Sequence, residues 1–121
     1  MNTVDIGHHA ENQACDYLTQ HGLALVTKNY RIRLGEIDLI MQDGDTMVFI
    51  EVRYRSHLDF GTPAATINRA KQQKIIKAAK YYLVSRQLYD KIYCRFDVIT
   101  ITAQMNRPDQ IEWLKDAFSA Y

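Results

Sequence analysis

Two carboxylates sit where an isolated charge is costly. Asp38 lies within Ile37-Asp38-Leu39-Ile40 and Glu51 within Phe49-Ile50-Glu51-Val52, both runs of strand-forming apolar residues. Strand side chains alternate between faces. Glu36, Asp38 and Ile40 are therefore predicted to share one face, with Ile37, Leu39 and Met41 on the other. In the next apolar run Phe49, Glu51, Arg53 and Arg55 share a face, and Val48, Ile50, Val52 and Tyr54 share the opposite one. Carboxylates on adjacent strands repel unless a cation stands between them. A bound Mg²⁺ resolves that cost, because it takes oxygen ligands and commonly uses one or two protein carboxylates with phosphate and water. A structural ion pair with Arg53 is the simpler account of one such acid. Two of them on neighbouring strands, with Arg53 two residues after Glu51, favour a site.

Residues outside these strands point the same way. At roughly 100° per residue, Glu11 lies about 60° from Ala14 and so borders the apolar face of a predicted first helix. Lys71 lies about 40° from Ile75 by the same count, on the apolar stripe of a second helix. Both are placed to converge on the strand carboxylates; the competing account of Lys71 is that it reaches solvent from the first helical turn. Basic residues cluster as Lys28, Arg31 and Arg33, as Arg53, Arg55 and His57, and as Arg69, Lys71, Lys74, Lys77 and Lys80. Such clusters can line a groove for a phosphate backbone, and Tyr30 and Tyr54 can stack on unpaired bases. A lysine-rich helix face is usually just solvated, so the nucleic-acid contacts are assigned to Arg31, Arg53, Arg55 and Lys71, near the acidic centre. His8, His9 and Glu11 lack the spacing of a helical zinc site. Ser56, His57 and Asp59 are too local for a catalytic triad, and Gly35 and Gly61 have no phosphate-loop spacing. Trp113, Leu114 and Phe118 read as core residues.

The elements that must position these side chains follow from periodicity and turn chemistry. Residues 5–21 read as a helix, with Asp5 as N-cap, stopped by Gly22. Residues 23–30 suit a strand that 31–34 turns or extends. Residues 35–42 form a second strand, and Asp43-Gly44-Asp45 is a hairpin signal into a third at 46–55. A loop at 56–63 holds Gly61 and Pro63, and residues 64–86 form a long helix striped by Ile67, Ile75, Ala78, Ala79, Tyr82 and Leu83. Residues 92–102 form a fourth strand, 110–114 a short fifth, and 115–119 a last helical turn. The αβββαβ order predicts an α/β fold with a mixed central sheet of four to five strands flanked by helices, the long helix serving as a right-handed parallel crossover.

The 121 residues fit one domain, 1–121, with one core. At 47% hydrophobic and 24% charged the chain is of globular composition. It has no apolar run of the roughly 20 residues that would span a bilayer, and residues 1–11 do not resemble a secretory signal. Cys15 and Cys94 suggest neither a disulfide framework nor a zinc site, and read as reduced packing residues of a cytoplasmic protein. A net charge of +1 lends no support to a nucleic-acid partner, so local charge distribution decides.

Gly35-Glu36-Ile37-Asp38-Leu39-Ile40 and Phe49-Ile50-Glu51-Val52-Arg53-Tyr54-Arg55 together resemble the PD-(D/E)xK nuclease core. More closely, the chain resembles the YraN-like family of uncharacterised bacterial proteins. That resemblance runs nearly end to end, through Gly7, Glu11, Ala14, Asn29-Tyr30-Arg31, Phe60-Gly61, Lys71 and Arg95-Phe96-Asp97-Val98. It implies a restriction-endonuclease-like fold related to Holliday junction resolvases, nucleic-acid binding, and metal-dependent phosphodiester cleavage. It implies Mg²⁺ or Mn²⁺ held by Asp38, Glu51 and the Val52 carbonyl, with Glu11 completing the site or orienting a water. The sequence departs from the nuclease pattern at Arg53, where lysine is usual. Arginine stays protonated and cannot act as a general base, though it can hold a phosphate bidentately. Either no side-chain base is needed, or Lys71 takes over part of the lysine's task, or cleavage has been lost.

Three functions therefore compete: a metal-dependent endonuclease on branched or single-stranded DNA, a nucleic-acid-binding module without cleavage, and an interaction protein with a structural ion-pair cluster. Glu11, Asp38, Glu51, Arg53 and Lys71 are the catalytic candidates of the first. A resolvase would act as a homodimer, and no membrane partner is expected.

Overall fold

The computed structural model describes residues 3–56 and 67–120. Along the chain run α1 (Thr3–Gln20), β1 (Ala24–Ile32), β2 (Gly35–Asp43), β3 (Thr46–Arg55), α2 (Arg69–Ser85), β4 (Tyr93–Gln104) and β5 (Arg107–Phe118). The five strands form one sheet in the order β1-β2-β3-β4-β5. Only β3 and β4 are parallel, as expected for two strands joined through a helix, and every other neighbour is antiparallel. This mixed sheet, flanked by two helices, is a restriction-endonuclease-like α/β core.

Alternation along the strands feeds two apolar layers. Leu39, Met41, Val48, Ile50, Ile99 and Ile101 pack under Ala10, Ala14, Cys15 and Leu18 of α1. Ile40, Met47, Phe49 and Phe96 pack under Ile75, Ala78, Ala79, Tyr82 and Leu83 of α2. Fully burying a Leu, Ile or Phe of this kind contributes roughly 1.5–3 kcal/mol. The small residues Ala10 and Ala14 let α1 lie close to the sheet. Among the described residues no helix is long and apolar enough to cross a membrane.

Four expectations are corrected. Ile37 joins Ile40 in the α2 layer instead of Leu39 and Met41 in the α1 layer, so alternation breaks between them, at Asp38. The long helix begins at Arg69, because the Asn68 side chain accepts the Lys71 N–H at 2.8 Å and caps it with extended backbone (φ −78°, ψ 169°). Within the described residues Ile67 and Asn68 thus precede the helix, while the expected start at 64 and the loop with His57, Phe60, Gly61 and Pro63 lie outside them. The last segment is one 12-residue strand in place of a short strand and a helical turn. An edge strand tolerates Pro108, and a bulge absorbs the irregularity that had suggested a helix: Phe96 pairs with Phe118 but Val98 with Leu114. Finally, Cys15 is buried in the core but Cys94 is exposed, so only the first is a packing residue.

Candidate functional site

The break in β2 makes the site. The β2–β3 ladder runs from Asp43↔Thr46 only to Leu39↔Ile50, after which the strands part. Val52 N–H, the next inward donor of β3, is taken by the Asp38 carboxylate at 2.8 Å. Asp38 therefore stands in the ladder's place and is held against Glu51, the residue before Val52. The two carboxyl groups are within hydrogen-bond reach of each other, and burial followed by the Glu51 charge pushes the Asp38 carboxyl up to about 8. Burial also raises Glu51, against the opposing pull of Lys71 and Arg53. Glu51 is 4% exposed.

Both neighbouring cations touch the same oxygen. Lys71 Nζ and Arg53 Nη1 each lie 3.7 Å from Glu51 Oε1. Glu51 Oε2 is buried with no donor. As ionised carboxylates the pair leaves that oxygen unsatisfied; with one proton between them they hydrogen-bond to each other. A hard cation would answer the same deficit. The donor set fits Mg²⁺ or Mn²⁺ in this respect: two carboxylates, all oxygen, with the Val52 carbonyl adjacent in sequence. No group of three or more Asp, Glu, His or Cys side chains among the described residues is arranged to hold an ion. A metal here would complete its shell with water and phosphate, as Mg²⁺ commonly does.

The sequence-predicted residues divide into four sets. Asp38, Glu51, Arg53 and Lys71 come together, and Lys71 turns inward to Glu51 from the first turn of α2. Glu11 is near enough for its charge to raise Asp38, but it is not part of a three-ligand cluster. Arg31 is on the surface beside the site, paired with Glu36 at 3.2 Å. Arg55 is 8% exposed and already partnered, so its guanidinium is not displayed as a backbone contact.

Two acids of the quoted motifs had no role assigned from the sequence. Glu36 raises both Asp38 and Glu51, and its place two residues before Asp38 on the same strand was the available signal. Asp97 is fully buried in β4. It accepts from Arg95 Nε at 3.1 and 3.2 Å, Trp113 Nε1 at 2.9 Å and the Asp116 N–H at 2.9 Å, while Arg95 also reaches Asp43 at 2.8 Å. An acid inside Phe96-Asp97-Val98-Ile99 carried the same signal as Asp38, yet its role is to pin the β5 bulge, where Asp116 has φ 53°.

The chain is 51% identical to a UPF0102 protein of Legionella pneumophila (strain Corby) over 118 residues, covering 98% of each chain. It is 51% identical to one of Coxiella burnetii (strain RSA 331 / Henzerling II) over 95% of this chain and 92% of that one. It is 54% identical to one of Psychromonas ingrahamii over 90% and 85%. The model of the family described as "Uncharacterised protein family UPF0102" matches residues 10–101. The chain belongs to the UPF0102 family, the YraN-like family that its motifs had indicated.

Proposed function

We propose that this protein binds nucleic acid and hydrolyses phosphodiester bonds in DNA as a Mg²⁺- or Mn²⁺-dependent endonuclease. The observation that carries the reading is the Asp38–Glu51 pair, two acids held together at the end of a ladder with Glu51 Oε2 buried and undonated. The ion pairs to Lys71 and Arg53 engage only Oε1 of Glu51 and do not account for its other oxygen or for the second acid beside it. The Val52 N–H needs one acceptor, and Glu51 supplies nothing to it. A divalent ion held by Asp38, Glu51 and the Val52 carbonyl would lower the pKa of water and offset charge on the scissile phosphate.

The remaining roles belong to the chain's own side chains. Arg53 stays protonated and holds a phosphate oxygen. Lys71 brings from α2 the ammonium that β3 does not supply, and its 3.7 Å contact with Glu51 Oε1 fixes where that ammonium stands. Glu36 and Glu11 add negative potential that strengthens cation binding. A cytoplasmic location follows from such a substrate.

Arg53 in the usual lysine position supports a second reading, a binding module without cleavage. Labelled linear, flapped and four-way DNA, incubated with Mg²⁺, Mn²⁺ or chelator beside an Asp38→Ala control, separates the two. Metal-dependent cutting lost in the control is the expected result. Salt-sensitive binding with no cutting selects the module, and no binding at all removes both. Cutting retained by Lys71→Ala would remove Lys71 from the mechanism.

A further inference from the structure

The two-residue turn between β1 and β2 is Arg33-Leu34, enclosed by the pair Ile32↔Gly35. Tight hairpins favour Asn-Gly or Gly-containing turns, whose residues take positive φ. Neither Arg33 nor Leu34 has positive φ, so turn geometry does not account for the residues chosen. Packing does not account for Leu34 either, since it is 56% exposed at the tip.

The surroundings of the tip are cationic. A cleft of about 380 Å³ between the hairpin and α2 is lined by Arg31, Arg33, Lys71 and Lys74, with Glu36 the one acid among the described lining residues, and Leu34 is in its wall. Arg31 and Lys71 are partly neutralised by Glu36 and Glu51. Arg33 and Lys74 form no ion pair among the described residues. The cleft adjoins the acid pair, because Lys71 touches Glu51 and Glu36 raises both acids. The hairpin is also fixed in position: a Cβ on Gly35 would stand 2.7 Å from the Lys74 carbonyl oxygen, so strand and helix are in close backbone contact. An apolar side chain on a rigid, cation-rimmed projection is suited to enter a base stack while its neighbours hold phosphates.

We propose that the β1–β2 tip is a wedge for the junction between paired and unpaired nucleic acid, with Leu34 entering the stack and Arg33 and Lys74 holding the flanking backbone. The proposal rests on the nucleic-acid reading above and adds the substrate's form: a fork, opened beside the acid pair. Met105, 69% exposed at the β4–β5 turn, is a matched control because it is outside this cleft.

The test uses the full chain, chelator, and a forked DNA with 2-aminopurine at the first base pair of the duplex, beside a blunt duplex. Wild type and Met105→Ala should raise the fluorescence on binding. Leu34→Ala should lose that rise and about tenfold of the preference for fork over blunt duplex, a difference of about 1.4 kcal/mol, while still binding duplex. Arg33→Gln and Lys74→Gln should weaken binding to both DNAs and each lower the slope against log salt by about one. A fluorescence rise unchanged in Leu34→Ala, or lost equally in Met105→Ala, overturns the wedge and leaves the nucleic-acid reading standing. Absence of salt-dependent binding by wild type overturns both.

Discussion

Asp97 and Glu51 are carboxylates in adjacent parallel strands, each embedded among β-branched and aromatic residues, and they are 0% and 4% exposed. Their surroundings differ in kind. Asp97 accepts from a guanidinium, an indole and a backbone N–H, so both of its oxygens are satisfied. Glu51 shares one oxygen between two cations at 3.7 Å, leaves the other without a donor, and lies against a second acid. Burial alone thus does not distinguish these two acids; the state of their hydrogen bonds does. The first acid's hydrogen bonds are complete within the fold, and the second keeps an oxygen without a donor, which is the deficit the proposed cation would answer.

The comparison is broken most directly at Asp97. Asp97→Ala strips partners from Arg95, Trp113 and Asp116 together and should cost about 3–5 kcal/mol, the range for removing one side of a buried ionic network. Urea unfolding measures it. A loss below about 1 kcal/mol would mean that the network does not pin the β5 bulge, and the distinction between the two acids would fail on its structural side.

A smaller effect is expected where the acid site is held by close packing instead of hydrogen bonds. In Gly35→Ala the new Cβ meets the Lys74 carbonyl, a backbone group that cannot swing aside. Forcing the hairpin off α2 should cost about 1–3 kcal/mol. If the cleft holds DNA as proposed, the same displacement should weaken that binding, because the cleft walls part. Unchanged stability in Gly35→Ala would show that the hairpin moves freely relative to the helix.

Much of this was legible in the sequence, for reasons particular residues make plain. The strands of β2 and β3 declared themselves by alternation and by Asp43-Gly44-Asp45, and Gly44 indeed takes φ 59°. Asp38, Glu51 and Lys71 stood out as charges on apolar faces, and burial makes such charges converge. What could not be read was long-range. Asp97 looked like Asp38 locally, and only Trp113 and Asp116, 16 and 19 residues away, make it structural. The end of the β2–β3 ladder at Leu39 moved Ile37 to the other layer, and no alternation count detects a parting of strands. Ile67 fitted the apolar stripe of α2 by spacing, but the Asn68 cap sets the helix start after it. The β5 bulge hid a strand, since two extra residues opposite Asp97 destroy the period of two that marks one.

The smallest effect tests the acid pair itself, through its protons. Unfolded, Asp38 ionises near 3.8; folded, it does so near 8, because burial and the Glu51 charge oppose the ion. Between those values the native chain binds more protons than the unfolded one, so stability falls as pH rises through the window. The metal-free protein should therefore melt lower at pH 8 than at pH 5. Asp38→Asn keeps an oxygen for the Val52 N–H and removes the charge. If it relieves about 1 kcal/mol, it should raise the melting temperature at pH 8 by roughly 4 °C and flatten the decline with pH. On the proposed reading a bound Mg²⁺ would displace the same proton, so its stabilisation of wild type should grow toward pH 8 and vanish in Asp38→Asn. A melting temperature that rises from pH 5 to pH 8 without metal would show that the two acids are already neutralised by Lys71 and Arg53. Glu51 would then be a structural acid like Asp97, and the case for a cation at this place would be lost.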